Sequence, residues 1–537
     1  VSIDGAVIMR GAAAALAGLV SGYAALALAE PVAAVIRPEA GPVTVVGGAA
    51  VDRTPAAVKD WAIRTFGADD KLVLQLGILA VAALLAMALG LFALRGRRTA
   101  AAGVFLFGLV GAVAALNRPD SGGFADALPS LTAGLAGAAA LYVLTGPLVS
   151  FRPQGGPDAG ETGADTGTGT GTAAGWSRRR FLLLTGAAAA FGTGAGAVGR
   201  ALASARSGDA IASRAAVVLP SPVSPAPDLP PGAALRVPGV SPFITPNKDF
   251  YRVDTALVVP RVPADTWRLR IHGKGVRREL NLSFEELLAR PLVERDITLT
   301  CVSNEVGGPY AGNARWLGAR LADLLAEAGV RPPSQGGPAD QLVARSVDGM
   351  TLGTPVEDVM DGRDALLAVG MNGEPLPPAH GFPVRMVVPG LYGYVSACKW
   401  IEDIELTTFD AYDPYWVKRA WAPRAPVKTQ ARIDTPKPFA RPAAGRVTVA
   451  GVAWAQHRGI DRVELRIDDG PWQEADLATE DTRDTWRQWS YAWQATAGTH
   501  TLTVRATDRT GETQTERRAP TMPDGASGRH SVVVMAG

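Results

Sequence analysis

Cysteine is almost absent from this chain. Its 537 residues include 2, Cys301 and Cys398, so no disulfide framework staples it, and no Cys-x-x-Cys pair offers a structural zinc or iron–sulfur site. Histidines number 5, at 272, 380, 457, 500 and 530. None lies in the first half, which excludes a bis-histidine haem there, and no Cys-x-x-Cys-His motif exists for a c-type haem. An excess of one charge is lacking too. The 53 Lys and Arg nearly balance 51 Asp and Glu, which argues against a nucleic-acid partner.

What is abundant is apolar sequence at the front. Runs near Gly11–Ala29, Leu72–Leu94, Thr99–Leu116 and Leu128–Val149 approach the roughly 20 residues that a membrane helix needs, giving a four-span α-helical region over 1–150. Arg95, Arg97 and Arg98 crowd the turn between the second and third runs. Cytoplasmic turns carry such an excess, so Arg10 and Arg152 fall on the same side, while Glu30 to Lys71 lies outside.

Residues 151–176, rich in Gly, Thr and Asp, are expected to be a disordered cytoplasmic linker. Residues 177–203 open with "SRRRFLLLTG", where Ser177, Arg178, Arg179, Phe181 and Leu182 match the S-R-R-x-F-L pattern of a twin-arginine export signal. The competing reading is a basic flank on a fifth membrane span. Both place the chain beyond residue 204 outside the cytoplasm, in a multi-pass protein of the cell membrane. Twin-arginine export carries folded proteins, commonly ones loaded with a cofactor beforehand.

The exported half starts with a Pro-rich tether over 204–235. Strands and short helices then follow over 236–425. "TWRLRIHGKG" alternates as a strand, and Ser283 with Glu286 forms a capping box at the head of "SFEELLAR". "ITLTCVSNEVGG" is a half-buried strand delivering Cys301 into a Gly-rich turn. "WLGARLADLLAEAG" sets Leu317, Leu321, Leu324 and Leu325 on one helical face and stops at Gly329. Short alternating strands with tryptophans over 426–537 read as an all-β immunoglobulin-like sandwich. The residues by themselves leave Cys301 open as a buried hydrophobe, a nucleophile with His380 as its base, a soft-metal ligand, or a disulfide partner of Cys398.

Residues 236–537 resemble the sulfite oxidase family of molybdopterin enzymes, in its exported bacterial branch. "TPNKDFYR" is similar to the family's opening motif, "TCVSNEVGG…WLGARLADLL" to its cysteine loop, and "NGEPLPPAHGFPVRMVVPGLYGYVSACKW" to its pterin-binding stretch. The resemblance implies an α+β catalytic domain followed by a dimerisation-type sandwich, and Mo-molybdopterin as cofactor, with Cys301 as the molybdenum ligand. It implies cofactor contacts from Asn247, Phe250, Tyr251, Asn304, His380, Arg385, Ala397, Cys398 and Lys399, and catalytic roles for Arg252 and Tyr412. It also implies oxygen-atom transfer on a small substrate, a separate redox partner such as a cytochrome or membrane electron carrier, and a homodimer through the C-terminal domain.

Two departures bear on the substrate. Sulfite enzymes place arginine shortly after the cysteine, where this chain has Glu305 and Val306 after Asn304. Their R-N-H becomes Arg252, Val253, Asp254, and a carboxylate there repels a dianion. The expected substrate is therefore neutral, a sulfoxide or similar compound, with sulfite oxidation as the alternative. A reading from another class makes the chain a membrane receptor whose exported module carries no cofactor.

Overall fold

The computed structural model describes residues 3–54, 58, 65–66, 70–118, 121, 123–149 and 178–537. The linker expected at 151–176, and Ser177 of the export motif, lie outside them. The chain forms two compact units, Val1–Gly208 and Asp209–Gly537.

Unit 1 is helical: α1 (Ile3–Ile36), α2 (Pro42–Arg53), α3 (Asp70–Phe92), α4 (Arg97–Leu116), α5 (Leu128–Leu144), the one-turn α6 (Gly146–Val149) and the start of α7 (Arg178–Ala216). Five helical stretches among the described residues are long and apolar enough to cross a membrane. The first runs past the expected Ala29 to Ile36, because Pro31 is absorbed within the helix and apolar residues continue beyond it. The segment expected outside is not all loop, since α2 occupies its middle.

Small residues let these helices approach closely. A Cβ at Gly18 or Gly90 would collide with backbone of the facing helix, α3 or α1, and one at Gly108 would meet Gly134 of α5. On α7, Gly192, Gly196 and Gly199 lie against Ala24, Ala27 and Glu30 of α1. Arg37, just past α1, pairs with the buried Asp126 at 3.0 Å.

Unit 2 begins with the last turns of α7. The tether expected over 204–235 is thus helical to Ala216. Its extended remainder is docked, with Val223 donating to the Leu292 carbonyl and Glu294 to that of Ser224. Leu219 and Leu229 are buried enough there to pack on the core, which outweighs the Pro-rich composition.

The α+β part holds β1 (Arg268–Gly273), β2 (Leu280–Ser283), α8 (Phe284–Leu288), β3 (Leu292–Thr300), β4 (Ala311–Arg320), α9 (Leu321–Glu327), β5 (Gln341–Ser346), β6 (Thr351–Pro355), α10 (Val356–Met360), β7 (Leu366–Met371), β8 (Glu374–Pro375), β9 (Arg385–Val387), α11 (Gly393–Ser396) and β10 (Ile401–Thr407). One sheet runs β2-β1-β10-β5-β6; the other runs β3-β4-β7-β8, with β9 also on β7. The capping box of Ser283 and Glu286 forms as the sequence predicts. Leu317 corrects an expectation. It lies on β4 rather than the helix, because Trp316–Arg320 pairs with β7 and buries both faces. The helix starts at Leu321 and ends before Gly329, whose φ of +80° suits glycine.

Beyond residue 429 comes an all-β sandwich. Its strands are β11 (Gln430–Thr435), β12 (Gly445–Trp454), β13 (Ile460–Ile467), β14 (Gln473–Glu474), β15 (Asp476–Leu477), β16 (Arg487–Ala495), β17 (Gly498–Asp508) and β18 (His530–Ala536). The sheets β11-β12-β16-β15 and β14-β13-β17-β18 enclose Trp489, Val463, Leu465, Leu502 and Val534. Trp454 and Trp486 belong instead to the core of the preceding α+β part, so the two parts share buried surface.

Candidate active site

Nine residues of β3 pair with β4 and carry the chain to Cys301, the first residue past the strand. The cysteine N–H donates to the Tyr310 carbonyl at 2.9 Å, which closes the loop 301–310. The Ser303 N–H points at Cys301 Sγ from 3.4 Å. Asn304 accepts from the Tyr310 N–H at 2.8 Å through Oδ1. The thiol is 8% exposed. Burial pushes its pKa up, while Ser303 and Lys399 pull it back. Both act in favour of a thiolate, the form that binds a metal.

Phe250, Tyr251, His380, Arg385 and Lys399 gather around this loop. Phe250 stacks on Tyr251 at 5.2 Å and meets Trp316 and His380 edge-on. Gly312 on β4 makes room for it, since a Cβ there would lie 2.8 Å from the ring. Burial, with the Cys301 charge adding to it, pushes the Tyr251 phenol far up, so it stays protonated. His380 Nε2 lies 3.0 Å from the Asn247 carbonyl, which assigns the proton to that nitrogen. Among the described residues no hydrogen bond joins His380 to Cys301, and His380 Nε2 is directed at the Asn247 carbonyl instead. Both cysteines are free thiols, which removes the disulfide.

The cations differ in their partners. Lys399 Nζ lies 2.7 Å from Asp254 Oδ2, and Arg252 Nε lies 2.8 Å from the same oxygen. Asp254 is 4% exposed, so one buried carboxylate holds two cations. Burial lowers the Lys399 pKa to about 8 despite that partner. Arg385 is different. It lies over Trp316 at 4.9 Å and donates from Nη1 to the His380 carbonyl at 3.2 Å, while its buried Nε has no partner among the described residues. Burial lowers its pKa to about 10. A buried guanidinium without a carboxylate calls for an anion from outside the chain.

These residues fit a phosphate-bearing cofactor with a soft metal. Arg385 supplies the unmatched charge and Cys301 the soft donor. Among the described residues no group of three or more His, Cys, Asp and Glu is placed to hold a metal. A metal at Cys301 would therefore draw further ligands from its cofactor.

Several expected residues sit differently. Tyr412 approaches Thr351 at 3.5 Å and lies under Lys418, and none of these belongs to the Cys301 cluster. The loop after β10 carries it to the first sheet instead. The Asn247 side chain bonds Glu374 and Asn372, so only its carbonyl serves the site. Ala397 caps α11, and Cys398 Sγ faces the Lys399 carbonyl at 3.7 Å. Sequence reasoning missed Ser303, Tyr310 and Trp316, which flank the cysteine along the chain. It also missed Tyr392, whose pKa is raised to about 12 by burial, with Cys301 a lesser cause.

Two histidines make stability depend on pH. His380 and His530 are each lowered to about 4, chiefly by burial and then by a neighbouring arginine. Unfolded histidine titrates near 6.5, so below that pH the unfolded chain takes up protons that the native one refuses. Stability therefore falls from pH 6.5 towards 4. Asp481, raised to about 6 by burial and Asp296, opposes this by gaining stability as pH falls through 6. With two histidines against one carboxylate, these groups should remove about 2 kcal/mol between pH 7 and 5. Urea unfolding followed by tryptophan fluorescence checks this, and His380→Gln with His530→Gln should abolish the loss and leave the smaller, opposite contribution of Asp481.

A family model described as an oxidoreductase molybdopterin binding domain matches residues 256–416, and one described as a bacterial Ig domain matches 430–504. The mitochondrial sulfite oxidase of Mus musculus is 32% identical over 324 residues, covering 52% of this chain and 58% of that protein. The sulfite oxidase of Gallus gallus is 32% identical over 325 residues, covering 52% and 69%. The solved structure of the sulfane dehydrogenase SoxCD from Paracoccus pantotrophus superposes with a TM-score of 0.47 at 24% identity, over 57% of this chain and 83% of that one. The chain spans 58% of the length of the mouse and human proteins it matches.

Proposed function

Because the chain belongs to the sulfite oxidase family of molybdenum- and molybdopterin-dependent oxidoreductases, we propose that it is a membrane-anchored, outward-facing enzyme that reduces a small sulfoxide-type substrate. Membership in an enzyme family sets aside the receptor reading. The bound cofactor supplies two-electron chemistry coupled to transfer of one oxygen atom. Sulfoxide, two electrons and two protons then give sulfide and water.

The chain's own residues prepare the site. Cys301 gives up its proton to become a ligand, and the Ser303 N–H favours the resulting thiolate. Arg385 offers its unmatched charge to the cofactor phosphate. His380, neutral at physiological pH, keeps its Nε2 proton on the Asn247 carbonyl, leaving Nδ1 as an acceptor.

One observation carries the substrate reading: Asp254 binds both Arg252 and Lys399. That carboxylate cancels one of the two positive charges, so a dianion is attracted less than by a site with both cations free, and a neutral oxo-compound loses nothing by it. Steady-state assays on the loaded full chain should give a higher kcat/KM for sulfoxide reduction than for sulfite oxidation. Asp254→Asn should raise the sulfite value by about 10-fold or more. Faster sulfite turnover in the parent, unmoved by Asp254→Asn, would leave the second reading, sulfite dehydrogenation, which the identity to the mouse and chicken sulfite oxidases supports.

Electrons come from a separate one-electron carrier, a cytochrome or a membrane carrier, and the C-terminal sandwich pairs two copies. The glycine contacts of α7 on α1 support retention of that helix as a fifth span. Arg178→Lys with Arg179→Lys keeps the basic flank but removes the guanidinium pair that an export receptor reads. Protease added outside spheroplasts should cut unit 2 in the parent and spare it in this variant. Cleavage in both would reduce Arg178 and Arg179 to a membrane flank.

A further inference from the structure

Cys301 hangs from an edge strand that its own sheet does not cover. On β3, the outer edge is met by the immunoglobulin-like part. Thr298 donates to the Asp484 carbonyl at 2.9 Å, and the Trp486 N–H donates to Thr298 Oγ1 at 2.7 Å. Gln456, 1% exposed, reaches further along the strand. Its Nε2 donates to the Thr298 carbonyl at 3.0 Å and to Thr300 Oγ1 at 2.8 Å. Thr300 is the residue before the cysteine.

The other end of this amide is costly, because Gln456 Oε1 is buried with no partner among the described residues. A buried acceptor left unsatisfied loses stability relative to an apolar side chain of similar size. The two bonds that Nε2 donates are what a glutamine gains here over an apolar side chain, and both fall at the strand end that carries Cys301. A second arm grips the far side of the cysteine loop. Arg432 donates from Nη1 to the Gly308 carbonyl at 2.7 Å and is held by Asp434 at 2.7 Å. The His530 ring abuts Gly307, whose φ of +80° and missing Cβ allow that contact.

We propose that Gln456 is a positioning residue for Cys301: the immunoglobulin-like part grips both ends of the cysteine loop and sets the direction in which Sγ is presented. The inference rests on Cys301 being the molybdenum ligand. Gln456 touches neither cofactor nor substrate and acts through Thr300.

The test uses the full chain, prepared with and without cofactor, as Gln456→Met, Thr300→Val and the double variant. In cofactor-free protein, iodoacetamide should alkylate Cys301 about tenfold faster in Gln456→Met than in the parent, since the strand end loses two donated hydrogen bonds and opens more often. Cys398 should keep its parental rate. Thr300→Val should reproduce most of the rise, and the double variant should exceed Gln456→Met little, because one bond is shared. In loaded protein, the Mo(V) electron paramagnetic resonance g-values should shift while molybdenum content stays at the parental level. Unchanged Cys301 reactivity and g-values overturn the proposal, as does an equal rise at Cys398, which would mean general loosening. Should Gln456→Met fail to fold, Thr300→Val decides by the same criteria. If Cys301→Ser kept the parental Mo(V) signal, the ligand reading would fail, and the alkylation rates would still judge the grip.

Discussion

Cys301→Ser is expected to lower turnover by at least about 100-fold, more than the loss seen when a residue merely supporting a metal ligand is removed. Serine occupies nearly the same volume at the end of β3, so the loop closed by Tyr310 should persist. What disappears is the soft, deprotonatable donor that matches a redox-active metal. Pterin content should fall much less, because Arg385 is independent of the sulfur. Cys398→Ser should be mild: that thiol is buried against the Lys399 carbonyl, its pKa raised by burial, with no Ser303-like donor aimed at it among the described residues. Activity assays with molybdenum and pterin analysis of both variants check this. Equal loss in the two would remove Cys301 from its special place.

Arg385→Met is expected to act in opposite directions on the two forms of the protein. With cofactor absent, the guanidinium is a buried cation whose Nε is orphaned among the described residues, held by a carbonyl and the face of Trp316. Replacing it with an apolar chain of similar length should stabilise the cofactor-free protein by about 1–3 kcal/mol, a rise of a few degrees in Tm. Cofactor content should meanwhile drop by about 10-fold or more, since a charge-assisted hydrogen bond to phosphate is lost. Thermal unfolding and pterin analysis read the two effects separately. A fall in the Tm of the cofactor-free protein would make Arg385 a structural residue.

Much of this was legible because it is local in the chain. Turn residues and alternation exposed the strand before Cys301, the capping box of Ser283 and Glu286, and the run from His380 to Lys399. Each of these depends on residues a few positions apart, where side-chain chemistry and backbone preference act together. The Asp254 departure was visible for the same reason. Leu317 shows where local reading fails. A helical spacing of leucines began inside β4, and the pairing of β4 with β7 overrode it.

By itself, the sequence determined the apolar helices of the first unit, the two-part second half and the presence there of a soft donor and several cations. Only the tertiary structure decided how those groups are partnered. It joined Asp254 to Lys399 across 145 positions, left Arg385 without a carboxylate among the described residues, and sent Tyr412 to Thr351 instead of Cys301. It also laid the Pro-rich segment on β3 and brought Gln456 to Thr300 across 156 positions. The physical reason is that burial and pairing are set by what the fold brings within about 3 Å, and neither composition nor spacing along a strand carries that distance.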